Sequence, residues 1–242
     1  MMEESKSDSK KVLVTKNGPY LVTGMVPLGT EIAAIGEENQ PEFWKRGKEF
    51  PLQETYALCR CGNSKNKPYC DGSHNAGFDG AETAKRVEYL KLAEKMIGPG
   101  VDLTDAESLC VAGRFCHLSG GTWANVENSD NPSNKAVAIK TACNCPSGRL
   151  VAWDKKTGKA IEHAFVPSIS LLQDPQAGVS GPLWVKGGIQ IESADGHKYE
   201  VRNRITLCRC GKSKNKPYCD ATHIKAKFND GDSSAKIIKR KR

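Results

Sequence analysis

The stretch Cys59–His74, CRCGNSKNKPYCDGSH, returns at Cys208–His223 as CRCGKSKNKPYCDATH. At one constant offset Cys59, Cys61, Cys70 and His74 meet Cys208, Cys210, Cys219 and His223, while Asn63/Lys212, Gly72/Ala221 and Ser73/Thr222 differ. A block that keeps three cysteines and a histidine as its neighbours change reads as a ligand set. Side chains two apart in an extended chain project to one side, so Cys59 and Cys61 can face one centre. Pro68 stiffens the loop and holds Lys67 extended. Cys70 and His74, four apart, share a face where a helical turn begins, and Asp71 suits the start of such a turn because its charge complements the helix dipole. Alanine at 221 in place of Gly72 implies that this position does not need a positive φ.

Cys-X-Cys, eight residues, then Cys-Asp-Gly-Ser-His resembles the CDGSH iron-sulfur (NEET) family. That resemblance implies a 2Fe-2S cluster on Cys59, Cys61, Cys70 and His74 and a second on Cys208, Cys210, Cys219 and His223. The second copy departs at Ala221 and Thr222, neither of them a ligand position in the family. Three cysteines and one histidine also make a structural zinc set, although zinc pairs usually stand two to four residues apart and not one.

The chain has 242 residues and ten cysteines, and its start, MMEESKSDSK, lacks the apolar region of a secretory signal. No apolar run approaches the roughly 18 residues of a membrane span. Cysteines in a reducing compartment serve as metal ligands more than as disulfides, so the expectation is a cytoplasmic protein without membrane attachment. The net charge of +8, with KRKR at Lys239–Arg242, suits a solvated surface and an acidic redox partner. No basic patch interleaved with aromatics argues for nucleic acid.

Along the chain, residues 1–10 read as a disordered tail, 11–80 as the first CDGSH-type unit, 81–103 as a connector, 166–229 as the second unit and 230–242 as a basic tail. Lys11–Gly24 alternates apolar and polar residues about Asn17-Gly18-Pro19, a hairpin signal. Gly181–Gly187, GPLWVKG, echoes Gly18–Gly24, GPYLVTG, and the first unit is the longer, with an insertion expected near Glu37–Phe50. Ala81–Ile97 has a moderately helical pattern stopped by Gly98-Pro99-Gly100, although RVEYLKL also alternates as a strand does.

The middle segment, 104–165, carries Cys110, Cys116, Cys143 and Cys145. Thr104–Glu107 has the capping-box form and predicts a short helix into Cys110, and Asn131-Pro132 predicts a helix through Thr141. RLVAWD and KAIEH predict a hairpin about Lys155–Gly158. The segment is similar to divergent single-cluster bacterial ferredoxins, which pair an early cysteine-rich turn with a late Cys-Pro. There Cys110, Cys116 and Cys145 would suit a 3Fe-4S cluster, with Cys143 as a fourth ligand for 4Fe-4S; a zinc site or a remnant that only packs are the alternatives. His117 follows Cys116 and can touch such a site, whereas His163 and His197 read as surface imidazoles and Trp123, Trp153 and Trp184 as core.

The expected fold class is α+β: two small strand-rich units, each a β-cap with a cluster loop, pairing as a pseudo-dimer around a ferredoxin-like α/β insert, in a monomer or a homodimer. The expected function is electron transfer through two or three clusters. A cluster or iron donor or redox-pH sensor, and a zinc-stabilised interaction module, are the alternatives, with redox proteins or apo iron-sulfur acceptors as partners. No nucleophile-base pair or phosphate loop points to an enzyme. Replacing a thiolate by imidazole raises a cluster's potential, which implies midpoints between the plant-type and Rieske ranges. A histidine ligand that gains a proton with the electron implies a potential that falls with pH.

Overall fold

The computed structural model describes residues 10–233. The N-terminal part forms β1 (Lys11–Val14), β2 (Tyr20–Thr23), β3 (Leu28–Ile35), β4 (Pro41–Glu49) and β5 (Thr55–Leu58). The middle forms α1 (Tyr89–Leu92), β6 (Glu94–Met96), β7 (Asp102–Asp105), α2 (Thr122–Glu127), α3 (Pro132–Cys143), β8 (Leu150–Trp153) and β9 (Ala160–Ile161). The C-terminal part forms β10 (Ser168–Asp174), β11 (Val179–Lys186), β12 (Gln190–Glu192), β13 (Arg204–Leu207) and α4 (Thr222–Lys225). Most of the N-terminal tail and the basic run Lys239–Arg242 lie outside the described residues. Mixed sheets with few helices make this an α+β protein.

Strands exchange between the two repeats. The first sheet runs β12-β1-β2-β5, and the second runs β13-β11-β10-β3-β4. Within each repeat the first two strands are an antiparallel hairpin, with Val12 opposite Val22 in one and Leu171 opposite Leu183 in the other. Each hairpin then takes the third strand of the other repeat on its free edge, in parallel: β12 beside β1, β3 beside β10. Alternation puts the apolar faces inward, so Val12, Val14, Tyr20, Val22 and Leu58 share one buried cluster with Ile169, Leu171, Leu183, Ile191 and Leu207. The residues near Glu37–Phe50 supply β4, which lengthens the second sheet and has no counterpart in the other repeat.

The middle sheet runs β6-β7-β8-β9 and packs on α2 and α3 around Val101, Leu103, Val126, Ala138, Ala142 and Leu150. It starts at Glu94, earlier than residue 104, because Gly98-Pro99-Gly100 joins β6 to β7 as a hairpin. A Cβ at Gly100 would stand 1.9 Å from the Ser129 carbonyl oxygen, so glycine lets this turn press on the end of α2.

Two helical expectations are corrected. Over Ala81–Ile97 only the single turn of α1 is helical. The rest of that stretch ties down the C-terminal repeat: Glu82 accepts from Ser193 and Tyr199, Arg86 pairs with Asp195, and the Tyr89 amide donates to Glu200. Thr104 caps no helix; it lies in β7 opposite Val151 and its Oγ1 accepts from Trp153 Nε1 at 2.8 Å. Only a 3-10 turn, Glu107–Leu109, leads to Cys110. Tertiary pairing outweighs the local signal at both places. The helix at Asn131-Pro132 forms as expected, with Asn131 Oδ1 accepting from the Ser133 amide at 2.8 Å.

Trp184 on β11, 2% exposed, packs at a tilt against Trp44 of β4, which itself contacts Phe115 of the middle segment. Its Nε1 has no hydrogen-bond partner among the described residues. Trp184→Ala is therefore expected to cost about 3–5 kcal/mol in urea unfolding through the cavity it leaves. Trp184→Phe, which sacrifices no hydrogen bond, should cost much less; equal losses would contradict this packing role.

Candidate metal centres

β5 and β13 each end where a first cysteine begins. Past that point the chain loops out and returns as a clasp. The Cys59 amide donates to the Pro68 carbonyl at 2.8 Å and the Cys70 amide to Ala57 at 2.9 Å; the Cys208 and Cys219 amides repeat these bonds to Pro217 and Thr206 at 2.8 and 3.1 Å. Both Lys-Pro bonds in the loops, Lys67-Pro68 and Lys216-Pro217, are cis. Ser64 Oγ donates to the Tyr69 carbonyl at 2.6 Å, and Ser213 repeats this with Tyr218 at 2.7 Å.

The donors stand in two close pairs per loop. Sγ of Cys59 and Cys61 are 3.8 Å apart and those of Cys208 and Cys210 3.7 Å, about the separation of two thiolates bonded at about 2.3 Å to one tetrahedral metal. Nδ1 of His74 is 3.3 Å from Cys70 Sγ, and Nδ1 of His223 is 3.3 Å from Cys219 Sγ. The eight donors of the two motifs thus stand as two close pairs in each loop, in matching geometry. Among the described residues, no group of three His, Cys, Asp or Glu side chains gathers around a single-ion position.

Asp71 and Asp220 staple the loops. Asp71 accepts from the Lys65 amide at 2.7 Å and the Ser73 amide at 3.0 Å, and Asp220 accepts from Lys214 and Thr222 at the same distances. These bonds hold both carboxyl groups below the usual range; Ser73 contributes most at Asp71, and at Asp220 they outweigh an opposing burial. The residue after each aspartate is left-handed, with φ 86° at Gly72 and 67° at Ala221. Position 221 therefore does need a positive φ, contrary to what the alanine implied, and the second loop bears a cost of about 1–2 kcal/mol there.

Burial pushes the Cys59 thiol up, against amide donors from Ser64 and Gly62, and pushes Cys219 up further. In the Cys208–Cys210 pair the hydrogen bond between the sulfurs lowers Cys208 and raises Cys210. Burial, with Arg209 adding to it, lowers His223 to about 4, leaving a neutral imidazole fit to ligate.

The arginine inside each Cys-Arg-Cys escaped the sequence reading. Arg60 is buried and donates to the Thr15 and Gly80 carbonyls, between the Tyr20 and Phe78 rings. Arg209 donates to Gly181 and Leu172, packs on Phe228 and pairs with Asp230. The signal was present, since both copies keep the arginine and a phenylalanine shortly after the histidine. Asp230, expected to open the basic tail, is instead buried in this ion pair.

The middle cysteines divide three against one. Cys110, Cys116 and Cys145 line one cavity of about 200 Å³ together with His117, Trp123 and Arg149. Burial and then the neighbouring Cys145 push the Cys116 thiol up to about 12. Arg149, held by two bonds to Asp105 at 2.6 and 2.8 Å, also reaches Cys110 and supplies positive charge at the rim. Cys143, 3% exposed, is set apart at the end of α3, where its thiol donates to the Ile161 carbonyl at 3.3 Å. His163 and His197 lie elsewhere, edge-on to Phe165 and Tyr199.

Residues 17–75 and 180–224 match the family model described as iron-binding zinc finger, CDGSH type, and residues 96–155 match the divergent 4Fe-4S mono-cluster model. The chain carries two CDGSH-type domains around a divergent 4Fe-4S segment. Neither the curated proteins nor the solved structures compared with it gave a match. Among the described residues, no helix is long and apolar enough to cross a membrane.

The two CDGSH loops meet back to back at glycines. A Cβ on Gly62 would stand 2.6 Å from the Cys210 carbonyl oxygen, and one on Gly211 would stand 2.3 Å from that of Cys61, both at positive φ. Gly62→Ala or Gly211→Ala should therefore cost at least the about 1–2 kcal/mol of a left-handed alanine and loosen both domains at once, seen as loss of bound iron from both. Loss confined to the substituted domain would contradict the shared contact. At Asp230 burial opposes the charge, but Arg209 overrides it and holds the carboxyl at about 2. A depressed carboxyl contributes stability above its unfolded value of about 3.9 and loses it as the pH falls toward the folded one. Asp230→Asn should be less stable at neutral pH and show a shallower fall between about pH 4 and 2 in denaturant midpoints.

Proposed function

We propose that this is an electron carrier whose CDGSH domains each hold a 2Fe-2S cluster, on Cys59, Cys61, Cys70 and His74 and on Cys208, Cys210, Cys219 and His223. The observation that carries this reading is the doubled arrangement of one thiol–thiol and one thiol–imidazole pair per domain, one pair for each iron of a two-iron core, in domains that match an iron-binding model. The clasp excludes water from most of the donors, and the amides of Asn63 and Gly72 point at the Cys61 and Cys70 sulfurs at 3.4 and 3.5 Å. A bound cluster supplies one-electron chemistry, and the imidazole among three thiolates leaves the site less negative than four cysteines would, raising its potential.

The two domains form an internal pseudo-dimer in a monomeric chain. Their reciprocal loan of a third strand and the paired glycine contact support that arrangement. The middle segment takes a third cluster on Cys110, Cys116 and Cys145. Three thiolates suffice for a 3Fe-4S cluster; a 4Fe-4S form would need a fourth ligand, for which His117 on the same cavity replaces Cys143 as the candidate. The carrier is not itself an enzyme, works in the cytoplasm, and exchanges electrons with other redox proteins.

Redox titration of anaerobically purified protein, followed by mixing with an oxidised one-electron acceptor and with an apo-ferredoxin, tests this reading. Electrons should pass to the acceptor while iron and sulfide stay on this chain; delivery of clusters to the apo-ferredoxin without electron exchange would replace the carrier by a donor. His74→Cys should lower the potential of the first domain and leave that of the second in place. Cys143→Ser should keep the middle cluster's spectrum and Cys116→Ser should lose it; the reverse would return Cys143 to the ligand set.

A further inference from the structure

The two CDGSH domains present the same four donors to different surroundings. Cys70 and His74 are half-buried, beside exposed Asp71, Asn75 and Ala76. Cys219 and His223, their counterparts, are 2% and 3% exposed. His223 is covered by Trp44, Leu172 and Pro182 of the second sheet together with part of the middle segment. Val111, Gly113 and Pro146 line the cavity of the three cysteines and also line a small void against His223, so one layer of residues separates the two sites.

Three anchors fix that layer. Arg204 of β13, four residues before Cys208, is buried and donates to the Ala142 carbonyl at 3.1 Å and to Leu150 at 2.9 Å, and it also reaches Cys143, gripping the end of α3 just before Cys145. Gly148 lies so close to this strand that a Cβ there would stand 2.9 Å from the Arg204 carbonyl oxygen. Arg114, between Cys110 and Cys116, pairs with Asp174 at 2.8 Å and donates to Gln176 at 3.2 Å. Trp44 Nε1 donates to the Asn144 carbonyl at 3.1 Å from the other side. Positive charge from Arg204 at the C-terminal carbonyls of α3 suits the helix dipole and adds to the grip.

We propose that the loops bearing Cys110 and Cys145 are the electron contact between the middle site and the second CDGSH domain. The Cys219–His223 edge then faces inward, and the Cys70–His74 edge is the one open to a protein partner. The inference rests on the carrier function above. Each passage across Val111, Gly113 and Pro146 moves one electron: the middle site is oxidised by one, the second domain is reduced by one, and no bond is made or broken. A one-electron donor of the flavin or ferredoxin class reduces the middle site; the second domain, reoxidised by one, then passes the electron across the Gly62–Gly211 contact to the first domain, where an oxidised acceptor of the same kind takes it up. Arg114 and Arg204 are positioning residues in this scheme.

The test is electron paramagnetic resonance of the dithionite-reduced full chain, with His74→Cys and His223→Cys used to assign each domain's signal by its shifted spectrum. Relaxation of the second domain's signal should be fast in the intact protein. It should lose that fast component in Cys145→Ser, while the first domain's signal stays unchanged. Arg114→Ala, which frees the Asp174 contact with the middle cysteines intact, should weaken the same component and covers the case in which Cys145→Ser folds poorly. A response of the first domain's signal instead, or of neither signal in either variant, overturns the proposal. Protein without colour and acid-labile sulfide would fail the carrier function itself and take this inference with it, whereas coloured protein with unresponsive signals fails the inference alone.

Discussion

Two cysteine loops press against each other through glycine, Gly62 on the Cys210 carbonyl and Gly211 on the Cys61 carbonyl, and the molecule is arranged to permit that approach. No other residue type allows backbones so close at a positive φ. Behind the loops, each hairpin closes its edge with a strand from the other repeat, so neither sheet is complete without both. The shared apolar core follows from that exchange.

Upon this frame the middle segment adds asymmetry. It is a separate small sheet with two helices and its own core, yet its cysteine turns are gripped by Arg204, Trp44 and the Arg114–Asp174 pair. Buried arginines recur in the supports of these sites: Arg60 and Arg209 inside the motifs, and Arg204 beneath the last strand. Each donates to backbone carbonyls, which satisfies groups that loops leave unpaired, and Arg209 and Arg204 also pair with Asp230 and Glu162.

Much of this was legible in the sequence because it is local. The repeated ligand block, the hairpin about Asn17-Gly18 and the helix after Asn131-Pro132 all have short-range signatures that survive folding. Strand exchange has none, since β1 meets β12 and β10 meets β3 across long stretches of chain. Ala221 misled because a tolerated strain looks, in sequence, like an absence of constraint. Thr104 and Ala81–Ile97 misled because β pairing and side-chain bonds to Asp195 and Glu200 outweighed helical patterning. Cys145, which precedes Pro146, was already the stronger ligand candidate in the sequence, and the structure adds that the end of α3 turns the Cys143 thiol toward Ile161 while Cys145 lines the cavity.

The most direct measurement of the central claim is the iron, acid-labile sulfide and zinc content of protein purified without oxygen from iron-replete cells, taken with its Mössbauer spectrum. The account predicts coloured protein with two iron and two sulfide per CDGSH domain, a cluster complement at the middle site, and a Mössbauer component for iron bound partly by nitrogen that disappears in the double variant His74→Cys, His223→Cys. Colourless protein holding one zinc per CDGSH domain and no sulfide would contradict it.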